Sequence, residues 1–263
     1  MRRFSQPLGF VNRNNPASGM MLIFLAMLAF SVLQNRPSRS TEQIIAFLAS
    51  FTIATAIHEF CHAYVALKLG DRTAADLGRV TLNPVAHFEP FGFFGMVMIS
   101  LGYPFIGWGK PVPVNPARFN SAKIRARRGM AIVAVAGPIS NLVQASLVAI
   151  PLRLANVPLS DIVNTNGLGM FAWTFVYVNL LLAAFNMIPI PPLDGSKLLL
   201  GIVPGFWYGV LAPLEKYGFI ILLAIFLLPN LVSGISTGSI VSELINPPFG
   251  LFTRVIMGQE LSF

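Results

Sequence analysis

His58, Glu59 and His62 lie close together in the stretch FTIATAIHEFCHAYVALKLG, residues 51–70. On a helix, positions four apart sit one above the other, so both imidazoles point the same way and can grip one metal ion. Glu59 stands beside them, where a carboxylate can take a proton from water bound to that metal. An HExxH pattern arises by chance in many soluble sequences. This one falls inside an apolar run long enough to cross a bilayer, where ionisable side chains are costly and mark function.

A catalytic zinc takes three protein ligands and keeps one position open for water, so a third ligand must come from elsewhere. The aspartates are Asp71, Asp76, Asp161 and Asp194. Asp71 and Asp76 follow the helix in a loop, and Asp161 belongs to the opposite side of the membrane. Asp194 lies on the same side as the histidines, beside a helix end broken by Pro189, Pro191 and Pro192. Position alone also allows Asp194 to be an ordinary N-cap for a segment starting at Gly195. His87 is the other candidate ligand. Cys61, three residues from His58, faces the same region, and a small apolar packing residue explains it equally well.

These groups need a frame that crosses lipid. The chain has 263 residues, of which 55% are hydrophobic and 11% charged, and its mean hydropathy is +0.70. Soluble domains carry about 25% charged residues, so the composition reads as a polytopic membrane protein. The net charge of +8 does not point to nucleic acid, because the basic residues cluster in loops flanking apolar spans. A single cysteine excludes an internal disulfide framework. The expected fold is an all-α polytopic membrane protein of about five to six transmembrane helices, with re-entrant or hairpin segments and a small β element near the active site.

Arg2, Arg3 and Arg13 favour a cytoplasmic start, followed by an uncleaved first span over 18–34. A polar link leads to span two, 43–69, which ends in Lys68, Gly70, Asp71 and Arg72. His58 is then about eleven residues, or roughly 17 Å, inside that end at 1.5 Å per residue, nearer the cytoplasmic face. Leu77–Leu82 reads as a short strand. The apolar stretch 91–108 is broken by glycines and Pro104, which suits a re-entrant hairpin buried against protein. Lys110–Arg128 is basic and cytoplasmic. Span three is expected over 130–152, span four over 169–188, a membrane-dipping segment over 199–214, and span five over 217–231. Residues 251–257 form an amphipathic stretch suited to the interface. All of 1–263 reads as one membrane-embedded domain, with a core over about 43–200, an accessory N-terminal helix at 18–34, and a C-terminal helix and tail at 205–263.

Four separated motifs resemble the site-2 proteases, zinc metalloproteases that cut within transmembrane segments. His58-Glu59-Phe60-Cys61-His62 resembles their HExxH. Asn83-Pro84-Val85-Ala86-His87 is similar to the NPxxH element of short bacterial and archaeal members, and Ala136-Gly137-Pro138-Ile139-Ser140-Asn141 to their AGPxxN. The stretch from Asn186 to Gly195 resembles NxxPxPPLDG, which provides the family's third zinc ligand. The links are too short for the PDZ or CBS domains that many members carry. The resemblance implies one zinc ion per chain, bound by His58, His62 and Asp194. It implies Glu59 as the general base and Asn186 as a neutral donor to the substrate backbone or oxyanion. His87 and Asn141 are implied as supporting or substrate-contacting residues.

The implied activity is hydrolysis of peptide bonds in or near transmembrane segments of membrane proteins, as in regulated intramembrane proteolysis. The implied setting is the plasma or inner membrane, with lipid and transmembrane substrates as partners and no nucleic acid. The glycine-rich hairpin at 91–109 is a candidate edge or lid that receives substrate as an added strand. Two other classes compete: a metal-ion transporter using the same His/Asp site, and a catalytically silent binder of membrane proteins. The Glu between two His at catalytic spacing and the lack of an inverted pair of broken helices weigh against transport. Intact His58, Glu59, His62 and Asp194 weigh against silence.

Overall fold

The computed structural model describes residues 40–102, 106–120, 122, 124–157, 167–204, 237–259 and 261, with scattered positions between 206 and 225. Ser40 opens the first helix, α1 (Thr41–Lys68), with a capping box. Its hydroxyl accepts from Gln43 N at 3.3 Å, and Gln43 Oε1 accepts from Ser40 N at 3.0 Å. Two donors that a helix start leaves bare are thereby satisfied. Gly70, at φ +109°, ends the helix and brings Asn120 N to Leu69 O at 2.8 Å.

A single turn, α2 (Thr73–Asp76), and a 3₁₀ turn, Pro84–His87, lead to α3 (Pro90–Ser100). A second 3₁₀ turn, Pro116–Arg118, precedes α4 (Ala126–Leu154), α5 (Leu168–Asn186), α6 (Asp194–Ile202) and α7 (Thr237–Met257). Three of these helices, α1, α4 and α5, are long and apolar enough to cross a membrane. The chain is a membrane protein. The three helices pack on one another, α6 lies against α4, and α7 lies against α5 and α4. One apolar cluster joins α4, α5 and α7 through Ala145, Leu180, Ile245 and Phe249. Another joins α1, α3 and α5 through Phe51, Met96 and Val178.

Several expectations change. The first expected span, 18–34, lies outside the described residues, and the fifth, 217–231, is described only in scattered positions. Among the described residues, three helices meet the length and hydropathy of a span, and they are the expected spans two, three and four. No β-strand occurs among them, so the expected strand at 77–82 is not formed. Gly78, at φ +67°, turns the chain there, and the Thr81 carbonyl accepts from His87 Nε2 at 2.8 Å instead of from a neighbouring strand.

The expected hairpin at 91–109 exists with one helical limb. α3 runs out, Gly102 turns at φ +92°, and residues 106–115 return as an extended arm. The limbs touch so closely that a Cβ at Gly92 would lie 1.9 Å from the Trp108 carbonyl oxygen. The start of the expected dipping segment, 199–202, is the end of α6, whose nine residues are too few to span. The amphipathic stretch 251–257 is the last part of α7, in which Thr253 and Phe249 are fully buried. Phe252, Ile256 and Met257 join the cluster with α4 and α5, while Leu251 and Val255 stay exposed, which leaves an apolar edge free.

Candidate metal centre

α1 carries His58 and His62 one turn apart on the face turned toward α4. Gly137 of α4 makes room for them: a Cβ there would lie 2.4 Å from His62 Nε2 and 2.5 Å from His58 Nε2. After α5, Pro189, Pro191 and Pro192 keep the chain irregular until Asp194, the first residue of α6. Its N-cap is Leu193 and makes no side-chain cap hydrogen bond, so the reading of Asp194 as a cap for Gly195 does not hold. The carboxylate instead reaches the histidines. Asp194 Oδ2 stands 3.0 Å from His62 Nε2 and 3.2 Å from His58 Nε2, and the two Nε2 atoms are 2.9 Å apart. All three residues are buried.

The hydrogen bonds behind the rings decide which nitrogens face the centre. His58 Nδ1–H donates to Asn141 Oδ1 at 2.6 Å, and His62 Nδ1–H donates to the Val133 carbonyl at 2.7 Å. With both protons at Nδ1, both Nε2 lone pairs point at Asp194 and at each other. Acceptors crowded in this way repel unless a cation sits among them. The ligand atoms of His58, His62 and Asp194 lie within 4.8 Å of one another, and the N, N, O donor set is one that a catalytic zinc accepts. The residues present fit a single metal ion.

Asp194 lies outside the three spanning helices. Burial pushes its carboxyl up, and the Lys197 ammonium beside it counters that. Lys197 Nζ donates to Asp194 Oδ1 at 3.2 Å, leaving Oδ2 for the centre. Glu59 lines the same cavity, and its Oε2 accepts from Val112 N at 2.8 Å, which ties it to the extended arm. The cavity encloses about 560 Å³. Trp108 and Val112 of the arm, Phe51 of α1 and Leu182 of α5 are among its apolar walls. Asn186 also lines it, and its Nδ2 donates to Leu182 O at 3.0 Å. The side chain therefore makes a helix-ending hydrogen bond while keeping a place in the cavity.

His87 is not brought to this centre. Its Nε2–H is spent on the Thr81 carbonyl, and its Nδ1 accepts from Arg79 Nη2 at 3.4 Å. It serves the loop: Arg79 donates on to Lys110 O at 2.6 Å, and Lys110 N donates to His87 O at 2.8 Å. Cys61 is outside the metal-ligating group. The sequence reading missed Lys197, Arg79 and Asn179. Lys197 had a signal, being three residues from Asp194 on a helix. Asn179 had one too, an amide in the middle of an apolar span.

Residues 144–228 match the description "Peptidase family M50". The chain is 36% identical over 188 residues to "Putative zinc metalloprotease YwhC" of Bacillus subtilis, covering 71% of this chain and 80% of that protein. It is 29% identical over 208 residues to "Putative zinc metalloprotease Rip2" of Mycobacterium tuberculosis, covering 79% and 75%. Its likeness to the protein of that name from Mycolicibacterium smegmatis is 30% over 201 residues, covering 74% and 72%. No solved structure matches the chain. A helical membrane scaffold with a His-His-Asp centre on its inner walls defines a class of membrane-embedded metalloproteins. Within that class, the chain belongs to peptidase family M50, the site-2 protease family.

Proposed function

We propose that this chain is a zinc-dependent intramembrane endopeptidase that hydrolyses peptide bonds in or near transmembrane segments of other membrane proteins. The observation that carries the reading is the convergence of His58, His62 and Asp194 at one wall of a largely apolar cavity that Glu59 also lines. Zinc held by those three residues supplies Lewis acidity for water and for the scissile carbonyl. Glu59 takes the proton from the attacking water and returns it to the leaving amine. Asn186 uses its second amide hydrogen to hold the substrate backbone or the developing oxyanion.

The apolar walls suit the side chains of a membrane segment, and extended substrate pairs with the arm at 106–115. The plasma membrane, with the centre nearer the cytoplasmic face, is the setting favoured by the basic loop after that arm. The substrates belong to regulated intramembrane proteolysis, the general role of the family.

The test compares detergent-purified wild type with Glu59→Gln on a model transmembrane peptide, with bound zinc quantified in both. The expected result is about one zinc in each and cleavage by the wild type alone. Equal cleavage by both would overturn the role of Glu59. Preparations without zinc, purified free of chelators, would overturn the metal centre.

A further inference from the structure

We infer that Asn179 is a positioning residue of the metal centre, fixing the orientation of Asn141 and, through it, which nitrogen of His58 is free to bind the ion. The inference rests on the metal-centre reading above. An amide side chain presents a donor at one end and an acceptor at the other, and only its partners decide which end faces which way. Asn141 is fully buried in α4. Turned end for end, it would offer NH₂ to His58 Nδ1, Nδ1 would have to accept, and the ring proton would move to Nε2. The nitrogen facing Asp194 would then be a donor with no lone pair for a metal.

Asn179, on α5 and also fully buried, opposes that reversal. Its Oδ1 accepts from Asn141 Nδ2 at 2.9 Å, so a reversed Asn141 would set two carbonyl oxygens against each other. The orientation of Asn179 is fixed in turn by Nδ2, which donates to the Phe175 carbonyl at 2.9 Å. A backbone carbonyl can only accept. The polarity therefore has one sense from α5 to the centre: Asn179 donates to Phe175 O, Asn141 donates to Asn179 Oδ1, and His58 Nδ1–H donates to Asn141 Oδ1. Asn141 Nδ2 also donates to Ala54 O, but at 3.4 Å this bond is longer and weaker than the one to Asn179. In a span, no water is at hand to substitute for a lost link.

The experiment measures zinc affinity by chelator competition on the purified full chain for wild type, Asn179→Leu and Val178→Ala. Val178 is the buried neighbour in α5 and has no part in the relay, so its truncation reports loss of packing alone. The expected result is a fall in zinc affinity of about 10–100-fold for Asn179→Leu, less than about twofold for Val178→Ala, and, in ¹⁵N spectra of the zinc-free protein, a new Nε2–H population of His58 for Asn179→Leu only. Should Asn179→Leu fail to fold, Asn179→Ala gives the same comparison. Wild-type affinity in the Asn179 variant, or an equal fall in both variants, overturns the positioning role while leaving the metal centre intact. No zinc in the wild type overturns the metal centre itself.

Discussion

Glu59 Oε2 accepts a hydrogen bond from the backbone N–H of Val112 at 2.8 Å. The carboxylate best placed to move protons is thus held by the arm that walls the cavity, so base and arm are positioned together. Pro111 and Pro113 flank Val112 and already hold the backbone extended. Val112→Pro therefore removes the donor without asking for a new chain path. A hydrogen bond to a charged group contributes about 1.5–3 kcal/mol, so peptide cleavage is expected to fall by about tenfold or more. Bound zinc should stay at the wild-type level when measured in the same samples.

Gly137 gives a second expectation. A methyl group placed there overlaps both ligand nitrogens, and neither ring can retreat while Asn141 and Val133 hold its Nδ1. Gly137→Ala should insert and fold with wild-type helicity by circular dichroism, yet purify with little or no zinc. Full zinc content in this variant would contradict the packing of α4 against the two histidines.

Arg79 gives a third. It is buried, and it reaches Lys110 O and the His87 ring without any carboxylate against it among its hydrogen bonds. Arg79→Met should loosen the arm, raising proteolytic nicking around residues 106–112 and lowering cleavage of a transmembrane peptide. Zinc affinity should not move, because the hydrogen bonds of His58, His62 and Asp194 go to other elements.

A fourth concerns acid. Asp71 follows α1 outside the span and accepts from Thr73 N and Oγ1 at 3.0 and 2.5 Å and from Asn115 N at 2.6 Å. Burial pushes its carboxyl up, but the hydrogen bonds from Thr73 and Asn115, with Arg118 nearby, bring it below the usual value. A carboxyl lowered in the folded state stabilises the protein above its unfolded pKa, and that contribution is lost as pH falls through the lower folded value. Asp71→Ala should therefore melt below wild type at neutral pH, by a few degrees for each hydrogen bond of about 1 kcal/mol. The gap should shrink once pH drops below about 4. A gap that stays constant across a thermal melt series from pH 7 to pH 3 would contradict this.

The centre was legible in the sequence because two of its ligands sit one helical turn apart. His58 and His62 share a face through helical spacing alone, and Asp194 followed from a broken helix end on one side of the membrane. His87 misled, since a histidine next to an Asn-Pro turn looks the same whether it serves a metal or a loop. The strand at 77–82 misled because alternation in LGRVTL says nothing about whether a partner strand exists. Asn179 lay in mid-span with no motif around it. Its role comes from the contact between α4 and α5, which brings together residues 38 apart in the chain.

The distance in sequence between the histidines and the aspartate has a consequence for biosynthesis. His62 and Asp194 are separated by 132 residues. At about 5–20 residues per second of synthesis, the last ligand follows the others by roughly 7–26 s. During that interval the nascent chain has a base and two imidazoles in the bilayer but no complete centre. The ligand set is thus complete only once the start of α6, which carries Asp194, has been made and packed against α4.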